Sequence, residues 1–142
     1  MATAISAEIY QQTQALCLRG DTLIAQHEYD AARALYLQAL SLLPDQARNS
    51  AVAIWLYVAI GDCHFFSGNY DKAFVCFKTA ADCPQDVANP YIHLRLGQLY
   101  FEAHYLDQAA AELQRAWLDA GPEIFSADDS KYLDFLKTRM AI

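Results

Sequence analysis

Three times in this chain a glycine stands twelve residues ahead of an alanine: Gly20 before Ala32, Gly61 before Ala73, and Gly97 before Ala109. The surroundings repeat as well. The first copy reads Leu16-x2-Arg19-Gly20-x2-Leu23, then Ala32-x3-Tyr36-x2-Ala39, then Pro44. The second reads Tyr57-x2-Ile60-Gly61-x2-His64, Ala73-x3-Phe77-x2-Ala80, Pro84, and the third His93-x2-Leu96-Gly97-x2-Tyr100, Ala109-x3-Leu113-x2-Ala116, Gly121. A pattern recurring with unchanged internal spacing means one supersecondary unit used three times, each copy burying the apolar face of its neighbour. Steps of three and four between its apolar members are helical steps. The glycines fit the place where two helices of a unit approach most closely, with the alanines as the small residues facing them. Tyr36 and Phe77 are expected to fill the space between successive units, and Pro44 and Pro84 to end the second helix of theirs. The composition agrees: 25 alanines against five glycines and four prolines favour helix over a turn-rich β fold.

The pattern resembles the tetratricopeptide repeat, W-x2-L-G-x2-Y followed by A-x3-F and then P. The resemblance implies an all-α solenoid of three helix-turn-helix repeats, at about residues 13–46, 54–87 and 90–123, forming a single domain over 1–142. A terminal helix at about 128–139, with Tyr132, Phe135, Leu136 and Met140 on one side, is expected to cap the last repeat, making about seven helices. Ser126 is its expected N-cap, with Asp128 and Asp129 in its first turn. Arg19 replaces the apolar residue found at Ile60 and Leu96, so the first repeat is degenerate. Gly20 and Gly61 lie 41 residues apart, whereas Gly61 and Gly97 lie 36 apart. An insertion near Asp45–Ala51 therefore separates the first two repeats, as a longer helix or as a loop, with Asn49 and Ser50 as candidate N-caps.

Other classes are excluded on simpler grounds. Ten Lys and Arg against 17 Asp and Glu give a net charge of −7, the wrong sign for a phosphate backbone, so nucleic acid is not an expected partner. The longest apolar run, Ala51 to Ile60, is half the length of a membrane-spanning helix. The first residues carry neither the basic region nor the apolar stretch of a signal peptide. Cys17, Cys63, Cys76 and Cys83 form no CxxC pair and read as reduced thiols, which points to the cytoplasm. His27, His64, His93 and His104 match no metal-ligand spacing; His27 and His104 fall at the turn between a repeat's two helices. No phosphate loop, dinucleotide fingerprint or nucleophile elbow occurs. The expectation is a protein that is not an enzyme and uses no metal or cofactor.

What the resemblance implies about binding is more specific. Tetratricopeptide arrays bind ligands on a concave surface lined by the first helix of each repeat. Its groove positions carry Gln14, Cys17, Leu18, Asp21, Ile24 and Ala25 in repeat one, and Trp55, Val58, Ala59, Asp62, Phe65 and Phe66 in repeat two. Repeat three supplies Tyr91, Leu94, Arg95, Gln98, Phe101 and Glu102. The carboxylate-clamp class of the family, which holds acidic tails, has Lys and Asn here. This chain has Asp21, Asp62 and Gln98 at one such position and Arg95 as its sole basic groove residue. The expected surface is an aromatic floor beside isolated carboxylates. Exposed aromatics of this size each offer about 150–250 Å² to a cover. Candidate covers are a partner protein, a second copy of the chain, or its own residues 3–12.

An apolar, acidic groove suits a basic or amphipathic partner. The segments Asn89-Pro90-Tyr91-Ile92-His93-Leu94-Arg95-Leu96-Gly97, Glu123-Ile124-Phe125 and Lys131-Tyr132-Leu133-Asp134-Phe135-Leu136-Lys137 resemble small bacterial tetratricopeptide proteins encoded beside polymorphic toxins. That likeness, over residues 85–140, implies an immunity protein that neutralises a toxin domain. The alternatives are a cytosolic chaperone for a secreted protein, of the type III translocator kind, and a general adaptor.

Overall fold

The computed structural model describes residues 5–83 and 89–142, and among these there are seven α-helices and no strands. They fall into two compact units, Met1–Gln85 and Asp86–Ile142. The first holds α1 (Ala7–Ala25), α2 (Tyr29–Leu42), α3 (Ala51–Phe66) and α4 (Tyr70–Ala81). The second holds α5 (Pro90–Glu102), α6 (Leu106–Ala120) and α7 (Ser130–Lys137). In the first unit α1 packs on α2, α2 on α3 and α3 on α4; in the second α5 packs on α6, which carries α7.

The repeated glycines hold the hairpins together. A Cβ on Gly20 would lie 2.8 Å from the ring of Tyr36, on Gly61 2.9 Å from the ring of Phe77, and on Gly97 2.7 Å from Leu113. Those three side chains are fully buried, as are Ala32, Ala73 and Ala109 on the same helices. Each large side chain thus sits on the glycine of its own repeat. Tyr36 also reaches the next repeat, meeting Trp55 edge-on at 6.0 Å.

Both helices of a hairpin start by rule, but by different rules. The first helices have side-chain caps: Ser6 accepts from the amide of Ile9, Ser50 from Ala53, and Asn89 from Tyr91 with Pro90 following. The second helices lack a side-chain cap hydrogen bond and follow a tight reversal. His27, Gly68 and His104 occupy it with φ of 60°, 80° and 65°. There the amides of His27 and Glu28 return to the carbonyls of Ile24 and Leu23, which satisfies the end of α1. The two histidines are therefore turn residues, as their register predicts.

Several local expectations change. Of residues 3–12, the expected cover, 3 and 4 lie outside the described residues, while 7–12 are the opening turns of α1, with Tyr10 on the wall of a cleft between α1 and α3. The insertion near Asp45 forms a 3₁₀ turn, Asp45–Ala47, anchored by the buried Ala47. Ser50 then caps α3, which begins ten residues before Gly61, whereas α5 begins seven before Gly97. Part of the insertion is thus an additional helical turn. Ser126 is not the cap of α7; Asp129 is, accepting from Lys131 at 2.9 Å. Ser126 instead closes a second 3₁₀ turn, Pro122–Phe125. The terminating role expected of Pro84 lies outside the described residues; α4 ends at Ala81.

Candidate functional site

The residues expected to form one groove divide into three environments. In the first unit, α1 and α3 border an open cleft of about 460 Å³. Cys17, Asp21 and Trp55 line it, together with Gln14 and Leu18 from the same predicted face. Leu18 is 67% exposed and Trp55 45% exposed, and both face this cleft. Tyr10, Thr13, Ala51 and Val52 complete the wall, and sequence reasoning missed them. A signal was present: Tyr10, Gln14, Cys17 and Asp21 are spaced by four, three and four, one continuous helical stripe. It becomes visible once α1 is extended to Ala7.

Polar groups in this cleft are few and distinctly placed. The Tyr36 hydroxyl donates to Asp21 Oδ1, which holds the carboxylate at the cleft's edge. Burial, and then that hydrogen bond and the Asp21 charge, raise the Tyr36 hydroxyl far above its ordinary range. Burial and Asp21 together push the Cys17 thiol up to about 11, so it is a neutral wall residue and no nucleophile. Thr13 Oγ1 is buried and makes no hydrogen bond among the described residues.

A second environment lies at the turn end of the same unit. Phe66 stacks on Tyr29 at 5.6 Å, Phe65 meets Phe66 at 5.7 Å and Tyr70 at 5.5 Å, and Tyr29 is hydrogen-bonded to His27 Nδ1 at 2.7 Å. Phe65 is buried and Phe66 exposed. Neither phenylalanine lines the cleft. Ile24 is half-buried against the core, and Val58 and Asp62 are half-buried on α3.

The third environment is in the second unit, where the chain covers its own predicted face. Arg95 is 4% exposed; its guanidinium donates to Gln98 Oε1 at 2.8 Å, to Asp128 Oδ1 at 2.9 Å and to the Tyr91 hydroxyl at 2.7 Å. Gln98 Nε2 donates to the other Asp128 oxygen at 3.1 Å. Glu102 accepts from the Tyr132 hydroxyl and pairs with Lys131, and Phe101 packs on Tyr132 and Phe135. Leu94 is core, beside Leu113 and Leu136. Asp128 and the α7 aromatics thus sit where a ligand was expected in this repeat. Periodicity alone did not find this, because Asp128 precedes its helix and belongs to no stripe.

No group of three or more His, Cys, Asp or Glu side chains among the described residues could hold a metal ion, and the four cysteines are free. No helix among them is long and apolar enough to cross a membrane.

The family model of the tetratricopeptide repeat matches residues 11–86, more than half of the chain. The chain belongs to the tetratricopeptide-repeat family. No curated protein matches it significantly. Among solved structures it is similar to the Yersinia enterocolitica type III secretion chaperone SycD, crystallised in complex with a peptide of the translocator YopD. That similarity has a TM-score of 0.69 at 18% identity, over 96% of this chain and 95% of that one. At this identity it speaks for the fold. Tetratricopeptide-repeat proteins bind partners on surfaces built by stacked helices; in this member α1 and α3 border an open cleft.

Proposed function

We propose that this chain is a non-enzymatic protein-binding module that captures a short segment of a partner in the α1–α3 cleft, in the manner of a chaperone. The observation that carries the reading is the cleft itself: about 460 Å³, with Leu18 and part of Trp55 uncovered at its edge. A pocket of this volume admits a few side chains, which suits a segment better than the broad face of a folded domain. The likeness to a chaperone held with a translocator peptide supports the same choice. Free cysteines support a cytoplasmic site of action.

The test is capture from the source cell, followed by titration with a synthetic peptide cut from the captured partner. The peptide alone is expected to bind. Trp55→Ala is expected to weaken it by more than about tenfold, since a large buried aromatic is a common anchor of binding energy, and helicity should be unchanged. Equal binding by Trp55→Ala would place the site elsewhere. Binding that needs the partner's folded domain would favour the second reading, an immunity protein that neutralises a toxin. The net charge of −7 and the Asp21 and Asp62 carboxylates support that alternative, since acidic surfaces steer basic partners.

A further inference from the structure

The repeat shows what kind of segment the cleft takes. Gln14, Leu18 and Asp21 on α1 occupy the same repeat positions as Tyr91, Arg95 and Gln98 on α5. In the second unit those positions already have an occupant. The Asp128 carboxylate, one residue before the N-cap of α7, sits on Arg95 and Gln98. In the first unit the residue just before the N-cap of α3 is Asn49, whose Oδ1 accepts instead from Cys83 Sγ at 3.8 Å. The equivalent space is the open cleft. Its polarity is inverted: the arginine is replaced by a leucine and the glutamine by a carboxylate.

We propose that the α1–α3 cleft takes a partner segment presenting an apolar residue beside a Lys or Arg, the apolar side chain against Leu18 and Trp55 and the cation on Asp21. The inference rests on the capture role given above and names its partner's chemistry. Asp21 uses Oδ1 for Tyr36, while among the described residues no group donates to its Oδ2 and no cation of the chain pairs with it. Trp55, at the same edge, can bind the cation through its ring as well as the apolar stem leading to it.

The experiment is selection of random 12-residue peptides on the immobilised full chain, with Trp55→Ala, Asp21→Asn and Leu18→Arg proteins in parallel. The wild type is expected to enrich apolar residues with a neighbouring Lys or Arg, by about fivefold over the library. Asp21→Asn keeps an acceptor for Tyr36, so it should retain the apolar enrichment and lose the basic one. Leu18→Arg, at an exposed position, puts a cation one helical turn from Asp21; the two should pair, so this protein should lose the basic enrichment as Asp21→Asn does. A selected peptide with its Lys replaced by norleucine should bind the wild type about tenfold more weakly and Asp21→Asn equally well. Apolar enrichment without a basic bias on the wild type would overturn this inference and leave segment capture standing. No Trp55-dependent enrichment at all would overturn the capture reading, and this one with it.

Discussion

Removing the Asp128 side chain measures how firmly the second unit is closed. Arg95 is 4% exposed and Asp128 12% exposed, so the pair is held largely away from water. Asp128→Ala deletes one charge-assisted hydrogen bond at 2.9 Å and the Gln98 hydrogen bond at 3.1 Å. It also takes from the buried guanidinium a carboxylate partner, with the Gln98 amide oxygen and the Tyr91 hydroxyl among the groups that stay on it. Breaking a buried pair from one side costs about 3–5 kcal/mol. The partial exposure of Asp128 lets water reach the site, so about 3 kcal/mol is expected. Asp129→Ala is the control. Its neighbour Asp129 is exposed and only caps α7, a contact worth about 1 kcal/mol. Urea unfolding is followed by the fluorescence of Trp117, which packs on the core of this unit, in a Trp55→Phe background. Arg95→Leu combined with Asp128→Ala should recover most of the loss, because the guanidinium that lost this carboxylate is then removed as well. If Asp128→Ala costs no more than Asp129→Ala, Arg95 is not held by the pair and the reasoning fails.

Three further outcomes follow from the same packing. Gly97→Ala should destabilise by about 1–2 kcal/mol: the new Cβ would lie 2.7 Å from Leu113 carbons and 3.0 Å from its backbone nitrogen, and overpacking outweighs a helix-propensity gain of about 1 kcal/mol. Thermal melts by circular dichroism read it, and an unchanged or higher midpoint would count against the close approach. His64 is buried with Nδ1 unpartnered, and burial first, then Arg33 and Lys72 against the opposing Asp30, lower its pKa below 6.5. Its contribution is therefore whole above the unfolded pKa and fades as pH falls below it, so His64→Tyr should flatten the stability profile between about pH 7 and 5. Burial pushes Cys17 to about 11 and Cys63 to about 12 from 9.0, so iodoacetamide at pH 8 should modify native Cys17 about a hundredfold more slowly than the urea-unfolded chain. Mass spectrometry reads this, and matched rates in the two states would contradict it.

How far the site was legible follows from how far it is periodic. The stripe through Gln14, Cys17, Leu18 and Asp21 and the position of Trp55 are regular helical offsets, and these residues do meet at the cleft. Phe65 and Phe66 obey the same offsets yet join Tyr29 and Tyr70, since their place at the end of α3 puts them beside the turns. Arg95, Gln98 and Glu102 obey them too and are taken by Asp128, Tyr132 and Lys131.

The repeat was determined by the chain's own residues. A glycine that admits a large side chain, an alanine beside it and a turn residue that tolerates positive φ are local steric requirements, readable one position at a time. Tertiary structure decided which equivalent surfaces stay open. That choice depends on side chains brought together from residues 30 or more apart in sequence, such as Asp128 with Gln98 and Arg95. Helical periodicity orders neighbours within a helix and is silent about the loop residue that arrives from outside it. The same positions therefore form a closed ionic seat in one unit and an open apolar cleft in the other.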